Sequence, residues 1–144
     1  MTGKRFVWND SYSVKVPSLD EQHKRFFGIT NQILDLLDYP EKNSELKNSL
    51  ILAVVELGRY ALYHLSYEEE CIFKFMCTEC KDHPLSHDYY REKVKGYLKK
   101  VRTEGTDIYA LAEELAVFSR EWLSNHIAQK DKEYVPCMVK NNVK

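Results

Sequence analysis

Apolar side chains recur every three or four residues along most of this chain, the period of a helix with one buried face. The pattern predicts four helices, at roughly 19–38, 44–76, 83–103 and 107–129. The first carries His23, Phe26, Phe27, Thr30, Ile33, Leu34 and Leu37 on one side. The second has an inward stripe of Leu50, Val54, Leu57, Ala61, His64, Glu68, Cys71 and Phe75. The third reads His83, His87, Tyr90, Val94, Tyr97 and Val101, and the fourth Ile108, Leu111, Leu115, Phe118, Trp122 and His126. Boundary residues agree with these spans. Pro17 closes an N-terminal arm over 1–17, and Ser18 with Glu21 reads as a capping box. Asn43 or Ser44 starts the second helix, Asp82 caps the third with Pro84 in its first turn, and Thr106 or Asp107 caps the fourth after Gly105. Residues 132–144 read as a C-terminal tail. The fold expected is all-α, an antiparallel up-down-up-down four-helix bundle with an N-terminal arm, one domain over 1–144.

Polar residues interrupt these seams at one level. In alternating topology His23 near the start of the first helix, His64 and Glu68 late in the second, His83 and His87 opening the third and His126 ending the fourth all lie toward the same end of the bundle. These are all five histidines of the chain. His64 and Glu68 are four residues apart, as are His83 and His87, so each pair points from one helix face toward one place. Asp131 follows His126 by five, a rotation of about 140° on an ideal helix. Both can face the cluster only if the fourth helix loses regularity between Ile127 and Asp131.

Burying an unpaired carboxylate costs several kcal/mol or more, against a total domain stability of about 5–15 kcal/mol. Cations would neutralise such a cluster. One zinc needs four ligands, and calcium and magnesium favour oxygen. Five imidazoles and two carboxylates suit two first-row ions such as iron or manganese. If both carboxylates bridge, the protein fills nine positions. A bridging oxide or hydroxide fills two more, leaving one of the twelve octahedral positions for a small ligand.

Composition narrows the class. Across 144 residues the hydrophobic share is 44% and the formal net charge −1, with a pI near 6.5. No basic surplus awaits nucleic acid. No apolar run approaches the roughly 20 residues that span a bilayer, and the N-terminal stretch lacks the apolar core of a signal peptide. The expectation is a cytoplasmic protein with no nucleic-acid or membrane partner. Its four cysteines, Cys71, Cys77, Cys80 and Cys137, are then expected as reduced thiols. Cys71, three residues beyond Glu68 on the inward stripe, reads chiefly as a small buried hydrophobe. Cys77, Cys80, His83 and His87 suggest a zinc set, but the middle gap is too short for a finger and the other five polar residues would be stranded. No E-x-x-H occurs, the motif of carboxylate-rich di-iron oxidases in bundles.

The D-E-Q-H stretch at His23, then H-x-x-x-E, H-x-x-x-H and H-x-x-x-x-D, resembles the hemerythrin family, in particular the single-domain bacteriohemerythrins. V-W-N-D-S-Y-S-V-K-V, H-L-S-Y-E-E and W-L-S-N-H-I-A-Q-K-D-K-E-Y are similar to family signatures too, and the resemblance covers nearly the whole chain. It implies reversible dioxygen binding at a non-haem centre of two iron ions bridged by oxide or hydroxide. It implies His83, His87 and His126 on one iron, His23 and His64 on the other, which keeps the open position, and Glu68 and Asp131 as bridges. Trp122 would line the oxygen pocket, with Phe26 and Ile127 as companions. The sequence departs from the usual family pattern between Cys71 and His83, where its cysteines fall. With about 18 residues before the bundle and about a dozen after it, storage or delivery of oxygen to an accepting protein is expected, without enzymatic turnover. The alternatives are an oxygen or redox sensor acting through a partner protein, a di-iron oxidase, and handling of peroxide or nitric oxide.

Overall fold

The computed structural model describes residues 5–80 and 82–144, Glu79 through its backbone only. Four long helices carry the chain, α1 (Pro17–Leu37), α2 (Ser44–Lys74), α3 (His83–Val101) and α4 (Ile108–Gln129), and a short α5 spans Val135–Lys140. α1 and α3 each pack against both α2 and α4, which makes a four-helix bundle preceded by an N-terminal segment. Residues 1–4 of the expected arm lie outside the described residues. From Arg5 on, the arm lies along α1. Phe6 stacks on Phe27 with ring centroids 3.9 Å apart. The Asn31 side chain accepts from the Phe6 amide at 2.8 Å and donates to its carbonyl at 2.9 Å.

The apolar period and the buried faces agree closely. All seven seam positions of α1 are buried, joined by Leu19 and Ile29. The buried residues of α3 are the six of its predicted stripe. On α4, Ser119 and Leu123 are buried while Phe118 and Trp122 sit at the margin of the core. A helix of 3.6 residues per turn drifts from a strict three-and-four alternation, which shifts the buried face by one position. On α2, Cys71 and Phe75 likewise leave the buried face and are only partly covered.

Helix starts depart from expectation in two places. Ser18 and Glu21 form no capping box, because α1 begins two residues earlier than expected, at Pro17, with Val16 as its cap residue. Proline at the first position presets the helical φ and lacks an amide that would need a partner. The Asp20 carboxylate instead turns back to accept from the Val14 amide at 2.8 Å and the Ser13 hydroxyl at 2.7 Å. Asp82 occupies the cap position of α3 without a capping bond from its side chain. Asn43 and Asp107 do cap, accepting from the amides of Leu46 at 2.9 Å and Ala110 at 3.2 Å.

The C-terminal stretch, expected as a tail, is folded. A 3-10 turn over Asp131–Tyr134 leads into α5, and Asp131, Tyr134 and Met138 are buried. The buried positions of this stretch fall three and four apart, but only two of them are apolar and Pro136 stands between those two, so the period is hidden in the sequence. The expectation of reduced thiols is also overturned for one pair. Cys77 and Cys137, 60 residues apart, form a disulfide that ties α5 to the turn after α2, whereas Cys71 and Cys80 are not disulfide-bonded. Among the described residues no helix is long and apolar enough to cross a membrane.

Candidate metal centre

His23 lies in the second turn of α1, His64 and Glu68 in the second half of α2, His83 and His87 in the first turns of α3, and His126 in the last turn of α4. α4 loses its regularity after Gln129, and Asp131 opens the adjoining 3-10 turn. The tighter winding swings its carboxylate back beneath His126. All seven side chains are buried, none more than 5% exposed. They make two overlapping groups, Glu68, His83, His87, His126 and Asp131 in one and His23, His64 and Glu68 in the other, each with donor atoms within 4.8 Å of one another.

The carboxylates divide their oxygens between the groups. Glu68 Oε1 faces His87 Nε2 at 3.2 Å, His83 Nε2 at 3.4 Å and His126 Nε2 at 3.8 Å. Its other oxygen, Oε2, faces His64 Nε2 at 3.4 Å and His23 Nε2 at 3.6 Å. Asp131 repeats the division, with Oδ1 at 3.0 Å from both His83 and His126 and Oδ2 at 3.3 Å from His23. Neighbouring donors on a first-row ion, each about 2.1 Å from it, stand about 3 Å apart. His87 Nε2 and His126 Nε2, at 3.1 Å, have that separation.

Three imidazoles are anchored through Nδ1, which aims Nε2 at the cluster. Gln22 Oε1 lies 2.8 Å from Nδ1 of His64, Glu69 Oε2 2.7 Å from that of His87, and Ser86 Oγ 3.1 Å from that of His126. Arg91 in turn holds Glu69 at 2.9 Å. The Tyr134 hydroxyl donates to Glu68 Oε2 at 3.2 Å. Sequence reasoning passed over Gln22, Glu69, Ser86 and Tyr134. Gln22 and Glu69 adjoin His23 and Glu68 in sequence, but their partners His64 and His87 lie on other helices, beyond any local spacing rule.

Electrostatics shows what this donor set lacks when only protons are at hand. Burial pushes His23, His83 and His126 downward, yet Asp131 and Glu68 outweigh it and raise each to about 9. Burial lowers His64. Burial works to raise Glu68, but the surrounding imidazoles, His126 foremost, hold it well below the usual carboxylate range. Asp131 is likewise held low by His126 and His23, against burial and the Glu68 charge. Even so, five buried side-chain atoms lack a hydrogen-bond partner among the described residues, and every one belongs to this cluster. They are His23 Nδ1 and Nε2, Glu68 Oε1, His83 Nδ1 and Asp131 Oδ2. An unsatisfied buried polar atom costs about 1–3 kcal/mol. Cations between the carboxylates would satisfy three of the five, so the residues present fit a two-metal histidine and carboxylate site.

Aromatic rings enclose the cluster. Trp122 stacks on His126 at 4.4 Å and lies 6.4 Å from His87, which places it beside the three-imidazole group. Phe26 meets His64 edge-on at 6.0 Å, beside the two-imidazole group. Ile127 is fully buried. A small cavity of about 210 Å³, lined by Ser86, Trp122, Asn125, His126, Gln129 and Lys130, opens at the edge of His126. Cys71 joins neither donor group, and Cys77, being in the disulfide, has no thiolate for the zinc set that the spacing suggested.

Residues 14–138 match the family described as the hemerythrin HHE cation binding domain. The bacteriohemerythrin of Clostridium acetobutylicum is 30% identical over 133 residues, an alignment covering 90% of this chain and 98% of the relative. That of Stenotrophomonas maltophilia is 25% identical over 89% of this chain and 78% of its own length. A hemerythrin-like protein of Naegleria gruberi is 26% identical over 90% of both.

Proposed function

This chain belongs to the hemerythrin family, and from that premise we propose that it binds dioxygen reversibly at a pair of iron ions, for storage or delivery to a protein that accepts the oxygen. His83, His87 and His126 would hold one ion and His23 and His64 the other, with Glu68 and Asp131 offering an oxygen to each. The observation that carries this reading is the division of oxygens, since both carboxylates turn one oxygen to the three-imidazole group and the other toward His23. With two imidazoles there against three on the other side, the His23 and His64 ion would have room for a small ligand. Iron held there would supply the electrons that dioxygen takes up on binding and returns on release.

The protein's own part is to hold, enclose and limit. Gln22, Glu69 and Ser86 orient three of the imidazoles. Tyr134 donates to the Glu68 oxygen that faces His23 and His64, withdrawing electron density from that bridge arm. Phe26, Ile127 and the stacked Trp122 keep water and protons from the centre, which slows the loss of bound oxygen in a reduced form. Five neutral imidazoles against two carboxylates give the site little anionic charge to stabilise high-valent iron, which favours binding over turnover.

An optical spectrum of the reduced, iron-loaded protein before and after exposure to air is the test. A charge-transfer band that appears with oxygen and vanishes under argon, with about two irons per chain, is expected. A band that never reverses, or steady consumption of an organic substrate, would replace the carrier with an oxidase.

A further inference from the structure

We propose that the Cys77–Cys137 disulfide is a thiol–disulfide exchange site for a dithiol reductant, and that its state sets how firmly the metal centre keeps its ions. The second half rests on the reading of Asp131 as a bridging ligand.

The covalent tie lies close to the cluster along the chain. Cys137 follows Tyr134 by three residues and Asp131 by six. The carboxylate of Asp131 and the hydroxyl that donates to Glu68 therefore sit on one four-residue 3-10 turn. A 3-10 turn of that length has few hydrogen bonds of its own, so its place depends on what holds its two ends. α4 holds the first end. The second end is α5, six residues long and too short to persist alone. α5 is fixed by the buried Met138 and by the bond to Cys77, and the turn itself by the buried Tyr134 and by Lys132, which donates to the Ser13 carbonyl. The disulfide is the one covalent member of that set, and it closes a span of 60 residues.

A reductant can reach it from the Cys137 side without unfolding the bundle, Cys77 itself being buried. Cys137 is partly exposed. Cys77 lines an open groove of about 520 Å³ with Ile72, Phe73, Met76, Thr78 and Pro84. The groove's rim carries Phe73 and Met76, 85% and 81% exposed. In the exchange a thiolate of the dithiol attacks one sulfur and displaces the other as a thiolate. The second thiol then closes the reductant's own disulfide. The Cys77–Cys137 bond breaks, two electrons and two protons pass from the dithiol, and two cysteine thiols remain. Reduction leaves α5 held by Met138 without its covalent tie, the turn's C-terminal hold weakens, and Asp131 spends more time away from the cluster.

The test uses iron-loaded protein with and without dithiothreitol, thiols being counted by alkylation and mass spectrometry. Two alkylated cysteines should become four on reduction. Iron loss to a ferrous chelator should then quicken by roughly tenfold, the scale on which weakened ligand support changes metal affinity. Amide hydrogen exchange over residues 131–140 should quicken on reduction in metal-free protein too. Cys77→Ser/Cys137→Ser should behave as the reduced protein in either condition, and Cys71→Ser as the parent. Four alkylated cysteines in protein exposed to air, or iron loss and exchange unchanged while two thiols appear, would overturn the proposal. The reductant arm needs no variant, so a poorly folding double mutant leaves the result readable. If Asp131→Asn keeps two irons and loses them at the parent's rate, the ligand reading fails, while the exchange data still decide whether the disulfide holds the turn.

Discussion

Each carboxylate at the centre has one oxygen per group of imidazoles, so single substitutions should remove ions selectively. His64→Ala leaves His23 as the only imidazole of its group, and metal analysis should fall from about two ions per chain to about one, with the oxygen-dependent band abolished. A band that survives unchanged would refute the assignment. Glu69→Gln keeps a hydrogen-bond acceptor beside His87 but removes its charge, and affinity at the three-imidazole group should drop about 10–100-fold with the other group little affected. The protonation of the cluster sets a pH dependence for protein stripped of metal. Folding raises His23, His83 and His126 to about 9, so their contribution is full below the unfolded value of about 6.5 and disappears as pH climbs through about 9. Glu68 and Asp131 are lowered, so theirs is present above about pH 4 and lost on acidification. His64 is lowered by burial, so it works against folding as pH drops below about 6.5. Urea melts of metal-free protein should therefore show greatest stability near about pH 6 to 6.5, with a decline toward pH 9 and on acidification. Loading with metal expels those protons, so metal affinity should rise over the same interval.

Among the elements, the break after α4 and the small α5 matter most. The five-residue step from His126 to Asp131 announces that the helix must end, and it ends after Gln129. The fold of the chain beyond that break is illegible in the sequence, because Tyr134 and Met138 are its only two buried apolar positions and Pro136 stands between them. The partner of Cys137 was equally hidden. Four cysteines permit several pairings, and compartment alone argued for none. Closing 60 residues restricts the unfolded chain, so loss of the disulfide should cost about 4 kcal/mol, or less where the reduced chain retains structure. Denaturant melts of the oxidised and reduced forms measure that difference, and coincident curves would contradict it.

For the molecule as a whole, the cluster couples metal content to folding. Four helices and the 3-10 turn each bring at least one side chain to it, so ions held there bind only the folded bundle. At a free-ion concentration about 1,000 times the dissociation constant the gain is about 4 kcal/mol. For a chain of this size that corresponds to a rise in Tm of roughly 10–15 °C, which calorimetry of loaded and chelated protein would detect. Equal Tm values would mean that the cluster is satisfied by protons alone.

The sequence by itself determined the helical class, the bundle, most of each helix seam and the six polar residues set into those seams, His23, His64, Glu68, His83, His87 and His126. All of these come from periodicity, which local geometry imposes wherever an element runs for several turns. Only the tertiary structure decided which oxygen faces which imidazole, that Gln22, Glu69 and Ser86 anchor rings on neighbouring helices, and that the last residues fold back under a disulfide. Most of those relations join residues far apart in the chain, from 18 positions for Glu69 and His87 to 108 for His23 and Asp131. No spacing rule reaches that far, because such contacts come into being when rigid helices pack and bring distant residues within a few ångströms of one another.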